Sequence, residues 1–517
     1  MNFSSFCKSA CLVASAFVFS TCARDRAPNF PVLPGESEPG TFVVHQENFT
    51  SYEESFSADY GTIVVPESEH NERLLQLRLI RVRAKQQNEN PPIFYFGPGP
   101  GQSNLAFQPP PKLLEKHDFI MVGYRGVDNL GPIYCPEIDH AFLGQKDNLG
   151  QQTRDSLSAA AAKCVANLQT LGIALDDYSI AKVLEDVEKV REALGFQKIH
   201  ILGEAFGGRI ASLYSEKFPE VIERMVLLAP SIPQKTLLTG EEVDSQLVSL
   251  VENWQSSPAS KNRRIDFGSV LQNAPEHWLI FRIDPGKVRT ASYFMLRHRH
   301  SAAMVLDAFA AAGEGDASGL ALLSQAYDML IPSSANWADF LAKMETWEEF
   351  GLEQYAAQGT GVGAPLSELL SGASAFSPEG IDEQRAPTDT TNATETLIFT
   401  GDFDVTTSAS EIERSYLASM PNAKQIILVD LGHTTDIWSV NPAGIQDAIV
   451  SFFGGATMES HFGFDTPPIE FEVGVSFPKA AKIAVALALL VLTLIVGGFI
   501  FIAKLFKHKP AYRQPTN

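Results

Sequence analysis

Residues 198–218 read KIHILGEAFGGRIASLYSEKF, in which an apolar strand, a glycine-rich turn and a helix follow one another. The turn, GEAFGG at 203–208, has the frame G-x-Nu-x-G-G of a nucleophile elbow. Such a turn is sharp, so it lifts its central side chain above the sheet and needs glycine where other side chains would collide. The central residue here is Ala205, and a methyl group cannot attack a substrate.

Strands and helices alternate on both sides of this turn. A strand pair is predicted at 61–65 and 75–83, later strands at 92–96, 119–122, 224–228, 395–400 and 425–429, and helices at 179–195 and 444–453. This alternation indicates a mostly parallel sheet covered by helices on both faces. Residues 234–385 interrupt it with helical patterns, including a capping box at Thr239 and Glu242, and predict an inserted helical cap.

Glycine-rich turns between a strand and a helix also bind phosphate groups. Neither G-x-x-x-x-G-K-S/T nor G-x-G-x-x-G is present, so the turn is not typical of a nucleotide site, and we expect no cofactor. His298 and His300 lie in the run RHRH at 297–300. Two residues apart on a helix they face different sides, so this run favours a solvated basic patch over a metal site.

The chain has a net negative charge, which is unevenly distributed along the sequence. Its 517 residues include 61 acidic and 40 basic side chains, and 45% are hydrophobic, which indicates a globular protein. Nucleic acid is an unfavourable partner, because binding its phosphates needs an excess of basic residues. Residues 1–22 and 479–517 contain basic but no acidic side chains, so the segment between them is more acidic than the average. That charge favours cationic ligands such as peptide amines.

The two ends predict the compartment. Residues 1–22 place Lys8 before a short apolar run and small residues, as a secretory signal does; a buried N-terminal helix is the alternative. Lipid attachment at Cys22 stays an open question. Residues 483–503 contain no charge and are long enough to cross a bilayer. More basic residues follow this span than precede it, so we expect residues 504–517 to lie in the cytoplasm. The protein would then cross the cell membrane once, with the large domain on the periplasmic or extracellular side. A stalk at 456–482 would join that domain to the span.

Two cysteines, Cys135 and Cys164, lie outside the predicted signal. In an oxidising compartment they can pair, and the alternative is two buried free thiols. Downstream, Asp404 and His433 each follow a predicted strand. A catalytic triad of an α/β hydrolase runs along the chain in the order nucleophile, acid, base, and these two residues fit the order and the positions.

With these motifs in place, residues 60–235 and 395–455 resemble the prolyl iminopeptidase and tripeptidyl-aminopeptidase-like group of α/β-hydrolase serine peptidases. The loop PGPGQS at 98–103 matches the family's G-G-P-G-x-S, and GYRG at 123–126 matches its D-Q-R-G. The paired cysteines of the family fall on Cys135 and Cys164. Its acid loop G-x-x-D-x-x-T-P appears as Gly401, Asp404 and Thr407-Ser408, and its Gly-His as Gly432-His433.

The resemblance implies an α/β-hydrolase fold with core segments at 41–233 and 386–455 around the cap at 234–385. It implies Asp404 as the acid, His433 as the base, an oxyanion hole at Gly99 and Phe206, and a disulfide between Cys135 and Cys164. The family's nucleophilic serine, however, falls on Ala205.

This sequence departs from the family at two further positions, since Pro98 replaces a loop glycine and Gly123 replaces an acidic residue. No G-x-S-x-G motif, which would mark a displaced elbow, occurs elsewhere in the sequence. We therefore expect a pseudo-hydrolase that binds a peptide or small molecule under the cap. The alternatives are an aminopeptidase or esterase with an unrecognised nucleophile, and an engineered Ser→Ala variant of an active enzyme.

Overall fold

The computed structural model describes residues 29–86, 90–143, 145–233, 235, 238–331, 334–344, 361–370, 392–457 and 464–507. The predicted signal at 1–22, part of the predicted cap and residues 508–517 of the predicted tail lie outside them. The described residues contain a nine-stranded sheet with the order β1-β2-β3-β5-β4-β6-β7-β10-β11. Its strands are β1 (Phe42–Ser51), β2 (Glu54–Pro66), β3 (Leu74–Val82), β4 (Ile93–Phe96), β5 (Phe119–Val122), β6 (Ile199–Glu204), β7 (Ile222–Leu228), β10 (Thr396–Gly401) and β11 (Ala423–Leu428).

The sheet has an antiparallel edge and a parallel centre. Strands β1, β2, β3 and β5 pair antiparallel, whereas β4, β5, β6, β7, β10 and β11 pair in parallel. Every residue of β4, β5 and β6 is buried, which explains their nearly continuous apolar sequence. The mostly parallel sheet of an α/β-hydrolase fold is confirmed, and the carboxyl ends of β4, β6, β7, β10 and β11 lie along one edge.

Helices cover the two faces of this sheet. They are α1 (Pro136–Phe142), α2 (Gln151–Thr170), α3 (Ile180–Ala193), α4 (Phe206–Lys217), α12 (Thr434–Val440) and α13 (Pro442–Phe453). The apolar positions of α3 repeat at helical spacing and are buried in the core, as that spacing predicts. A disulfide joins Cys135, at the start of α1, to Cys164 on α2, so the predicted pairing is confirmed.

Between β7 and β10 the chain forms a helical layer, here called the cap. It contains α5 (Gly240–Ser256), α6 (Phe267–Gln272), a hairpin of β8 (His277–Trp278) and β9 (Phe281–Arg282), α7 (Pro285–Leu296), α8 (Arg299–Gly313), α9 (Ser318–Leu330), α10 (Trp337–Lys343) and α11 (Pro365–Leu370). The predicted capping box is present, because the Thr239 hydroxyl accepts from the N–H of Glu242 and the Glu242 carboxylate accepts from the N–H of Thr239. The cap helices bury a separate apolar cluster around Trp254 and Phe309.

The last described element is α14 (Phe477–Lys507). Its segment Phe477–Ile502 is long and apolar enough to cross a membrane, which agrees with the candidate span predicted at 483–503. The helix begins before that span, and its first turns pack on the cap. Phe477 and Ala481 are buried, and the ammonium of Lys482 lies 2.6 Å from the carboxylate of Asp316. The candidate span therefore leaves the cap directly as a continuous helix.

Candidate functional site

Ala205 occupies a strained turn between β6 and α4. Its φ of 47° and ψ of −121° lie in a region that residues with a Cβ atom rarely adopt. The backbone is held on both sides: the N–H of Ala205 donates to the carbonyl of Leu228 at 3.1 Å, and its own carbonyl accepts from the N–H groups of Gly208 at 2.9 Å and Ser231 at 2.8 Å. The geometry of a nucleophile elbow is thus present with alanine at its centre.

The glycines of the elbow are required by close backbone contacts. A Cβ atom at Gly207 would collide with the carbonyl oxygens of Phe96 and Gly97, and one at Gly208 would collide with Pro230. These contacts bring α4 close to the ends of β4 and β7. They explain why glycine follows the elbow at both positions, as the sequence motif predicts.

The loop at 98–103 lies beside the start of α4. A Cβ atom at Gly99 would lie 3.4 Å from the ring of Phe206. Within the described part of the chain, neither the N–H of Gly99 nor that of Phe206 makes a hydrogen bond. The loop is anchored from the cap, because the N–H of Gly101 donates to the Asp339 carboxylate at 3.0 Å and its carbonyl accepts from the N–H of Asn336 at 2.8 Å.

Gly123, which departs from the family pattern, has a steric explanation. A Cβ atom at this position would lie 2.6 Å from the Cβ of Asp128. The Asp128 carboxylate accepts from the Ser103 hydroxyl at 2.5 Å and from the N–H groups of Asn104 and Tyr124 at 3.0 and 2.9 Å. An acidic side chain is therefore present in this turn, but it comes from position 128 and ties the 98–103 loop to the end of β5.

Asp404 and His433 meet at the carboxyl ends of β10 and β11. Nδ1 of His433 lies 2.6 Å from Oδ2 of Asp404, and both residues are buried. The hydroxyls of Thr406 and Thr407 each donate to the Asp404 carboxylate at 2.6 Å. Burial opposes ionisation of Asp404, but His433 and the two hydroxyls outweigh it and lower the pKa of Asp404 to about 2. Asp404 is therefore an ionised acceptor that orients the imidazole.

The His433 loop is fixed by the cap. The N–H of His433 donates to the carbonyl of Arg297, at the end of α7, at 2.7 Å. A Cβ atom at Gly432 would collide with that same carbonyl, so the Gly-His sequence is needed for the close approach. The carboxylate of Asp436 accepts from the N–H of Gly432 at 2.9 Å and from the N–H of Arg299 at 2.9 Å.

The sequence interpretation of 297–300 as a solvated basic patch is wrong for its first two residues. Nε of Arg297 and Nδ1 of His298 are buried without a hydrogen-bond partner in the described residues, and only His300 of the four is exposed. Burial lowers the pKa of His298 to about 3. The error arose because the run ends α7 and packs on the His433 loop, a contact between distant segments that has no local sequence signal. No group of three metal-binding side chains occurs in the described residues.

Glu204 precedes the elbow and is fully buried behind it. Its carboxylate accepts from the indole N–H of Trp438 at 2.8 Å and is also hydrogen-bonded to Tyr95. Burial raises the pKa of Glu204 to about 7, although both hydrogen bonds oppose the change. Its hydrogen-bond partners are thus Trp438 and Tyr95, and no hydrogen bond joins it to His433 in the described residues.

Known proteins share the fold and parts of the sequence. A family model described as the alpha/beta hydrolase fold matches residues 138–277. The tripeptidyl aminopeptidase of Streptomyces lividans is 24% identical over 217 residues, which are 38% of this chain and 39% of that protein. Serine protease Hip1 of Mycobacterium tuberculosis is 28% identical over 148 residues, 25% of this chain and 27% of the other.

The chain therefore spans well under half the length of these two relatives. Among solved structures, a serine hydrolase from Cycloclasticus zankles superposes with a TM-score of 0.36 and 11% identity, covering 80% of this chain and 99% of the other. The chain is a hydrolase-fold protein that resembles aminopeptidases and serine proteases, and its described residues contain one candidate membrane helix.

Proposed function

We propose that this chain is a membrane-anchored pseudo-hydrolase, whose site binds a peptide or small molecule without cleaving it. The observation that carries the proposal is Ala205 at the centre of an intact elbow. A serine there would supply the oxygen that attacks a carbonyl and forms the acyl-enzyme, and alanine supplies no such atom. In subtilisin, loss of the nucleophile costs about 2 × 10⁶ in turnover, so we expect residual hydrolysis at most.

The rest of the site supports binding. Asp404 and His433 keep the geometry of an acid and base pair, with 2.6 Å between Oδ2 and Nδ1. We assign the unpaired N–H groups of Gly99 and Phe206 as the oxyanion hole, in which a carbonyl oxygen of the ligand would be held. The names of the two relatives, an aminopeptidase and a serine protease, favour a peptide as that ligand.

The membrane arrangement is part of the proposal. We place the core at 41–233 and 386–455 and the cap at 234–385 on the periplasmic or extracellular side, after removal of a signal at 1–22. Residues 483–503 then cross the cell membrane, and 504–517 lie in the cytoplasm. The candidate span in α14 and the disulfide between Cys135 and Cys164 both support this placement.

The proposal is tested with the full chain in detergent. We expect a fluorophosphonate probe to leave the native chain unlabelled and to label an Ala205→Ser chain. We expect Ala205→Ser to raise hydrolysis of p-nitrophenyl acetate by about 10³-fold or more. The double variant Ala205→Ser with His433→Ala is the matched control, and it should lose both labelling and hydrolysis.

A second measurement addresses binding. The tripeptide Ala-Ala-Phe, titrated into the native chain by calorimetry, should bind without being cleaved. Labelling of the native chain that disappears in a His433→Ala variant would instead support an active hydrolase with another nucleophile. The hydroxyl of Thr406 lies 3.0 Å from His433 Nδ1, but it donates to Asp404 on the acid side of the imidazole, so it is not in the position of a nucleophile.

A further inference from the structure

Helix α7 presents a tyrosine and an arginine beside the acid and base pair. Tyr293 and Arg297 are four residues apart, so they lie on the same face of the helix end. The carbonyl of Arg297 accepts the N–H of His433 at 2.7 Å, which attaches this turn to the loop of the base. Both side chains are close enough to Asp404 for its charge to act on their pKa values.

The guanidinium of Arg297 has no anionic partner in the described part of the chain. Its Nε is completely buried without a hydrogen bond, and its other described contact is the ring of Phe294, 5.2 Å from the guanidinium carbon. Arg297 is only partly buried, whereas two buried arginines are each paired with a carboxylate: Arg125 with Asp186 at 2.7 Å, and Arg289 with Glu368. Arg297 differs from these two arginines, because no carboxylate forms an ion pair with it among the described residues.

Asp404 does not neutralise Arg297 by direct contact. Its two oxygens are already engaged by His433, Thr406 and Thr407. Burial lowers the pKa of Arg297, yet a guanidinium keeps its proton in proteins, so the site contains a desolvated positive charge. The part of this charge at Nε is buried without a hydrogen-bond partner, which is unfavourable. The side chain of Tyr293 is buried, but its hydroxyl is not among the buried atoms that lack a hydrogen-bond partner in the described residues.

We propose that Arg297 binds a carboxylate of the ligand, with the Tyr293 hydroxyl as a further donor. A guanidinium presents two parallel N–H groups that match the two oxygens of a carboxylate, and such charge-assisted pairs are among the strongest hydrogen bonds in proteins. The inference rests on the proposed function, because it assigns the ligand class of that same site. It also differs from the expectation from net charge, which favours cationic ligands, because Arg297 places a cationic side chain next to the site.

A carboxylate can come from the C-terminus of a short peptide or from a small organic acid. The test therefore uses two matched pairs of ligands with the full native chain in detergent: Ala-Ala-Phe and its C-terminal amide, and 3-phenylpropionate and its amide. Titration calorimetry should give a dissociation constant about 10- to 100-fold lower for an acid than for its amide, as expected for a hydrogen bond to a charged group. If Ala-Ala-Phe binds more tightly than its amide, the carboxylate of the ligand is a peptide C-terminus. If only 3-phenylpropionate binds more tightly than its amide, the ligand is a small organic acid.

Three variants test whether Arg297 causes the tighter binding of an acid than of its amide. Arg297→Gln should bring the acid and the amide to equal affinity, and Arg297→Lys, which keeps the charge, should retain part of the difference. Arg264→Gln removes an exposed arginine on the same cap and should leave the difference unchanged. Thermal unfolding checks the fold, and Arg297→Gln should unfold at a temperature no lower than the native chain, because it removes a charged group whose Nε is buried without a partner.

The outcomes separate this inference from the proposed function. Equal binding of acid and amide by the native chain would overturn the carboxylate assignment and leave a ligand-binding pseudo-hydrolase in place. A preference that survives Arg297→Gln would also overturn the assignment. If neither member of either pair binds, the carboxylate assignment and the proposed binding function both fail.

Discussion

Nδ1 of His433 lies 2.6 Å from Oδ2 of Asp404 in a chain whose elbow residue is Ala205. The ionised carboxylate of Asp404 accepts a hydrogen bond from Nδ1–H, and in a neutral imidazole this favours the tautomer with a lone pair on Nε2, as a general base requires. The hydroxyls of Thr406 and Thr407 hold the carboxylate in place. The two residues thus have the geometry of an acid and base pair, and under the proposed function the hydroxyl on which they would act is missing.

Asp404→Asn is expected to remove most of the activity restored by Ala205→Ser. The amide of asparagine leads the imidazole to take the wrong tautomer, and the equivalent change in a chymotrypsin-like protease lowers kcat by about 10⁴. We expect a loss of about 10³- to 10⁴-fold in kcat with p-nitrophenyl acetate. Glu413→Gln is the control: it changes an exposed carboxylate outside the site and should alter kcat less than about threefold. Equal losses in the two variants would contradict the assigned role of Asp404.

Glu204→Gln is expected to make the stability of the chain less dependent on pH. The folded-state pKa of Glu204, about 7, is higher than the ordinary value of 4.5, so the folded state binds the proton more tightly than the unfolded state between these values. Stability contributed by the protonated carboxyl is therefore present below about pH 4.5 and is lost as the pH rises to about 7, by about 3 kcal/mol. Glutamine stays neutral and its carbonyl can still accept from Trp438.

Urea unfolding at pH 4.5 and pH 8 measures this difference. Glu204→Gln should match the native chain at pH 4.5 and exceed its free energy of unfolding by about 3 kcal/mol at pH 8. Glu220→Gln, which changes an exposed glutamate after α4, should follow the native chain at both pH values. A Glu204→Gln chain that is no more stable at pH 8 would show that Glu204 ionises as easily as an exposed glutamate.

Removal of the disulfide is expected to destabilise the core. The bond joins residues separated by 29 positions, and closing a loop of this length stabilises a fold by about 3–4 kcal/mol in the chain-entropy model. The double variant Cys135→Ser with Cys164→Ser should lose that amount in urea unfolding. Reducing agent should lower the stability of the native chain and leave the double variant unchanged; equal sensitivity of the two would contradict the prediction.

The sequence predicted the elements with local periodicity and missed those fixed by distant contacts. Strand β6 and helix α4 flank the glycine-rich turn, as the sequence at 198–218 predicts, because glycine and apolar spacing mark both. Strand β1 was not predicted, since most of its residues are exposed and it has no apolar alternation. It exists through its pairing with β2, which also extends β2 to Glu54.

In the candidate site, too, residues marked by the local sequence were predicted and residues brought in by distant contacts were missed. Chain order and strand ends were enough to select Asp404 and His433, because the carboxyl ends of parallel strands lie together. Arg297 and Tyr293 were missed, since they reach the site only when the end of α7 packs on the His433 loop. The basic run at 297–300 was the sequence feature that could have drawn attention to Arg297. Its charge favoured a solvated surface, because nothing in the sequence shows that the run packs on the His433 loop.

Gly207→Ala is expected to disrupt the elbow itself. The added methyl group would collide with the carbonyl oxygens of Phe96 and Gly97, which belong to the backbone and cannot rotate away as a side chain can. We expect a loss of about 3 kcal/mol or more in the free energy of unfolding, measured in urea. Gly35→Ala is the control, because no atom lies within 4 Å of the added methyl group, and it should change stability by less than about 0.5 kcal/mol. If the two variants unfold at the same urea concentration, then β4 and α4 are further apart than these contacts require, and the strain at Ala205 has no rigid support.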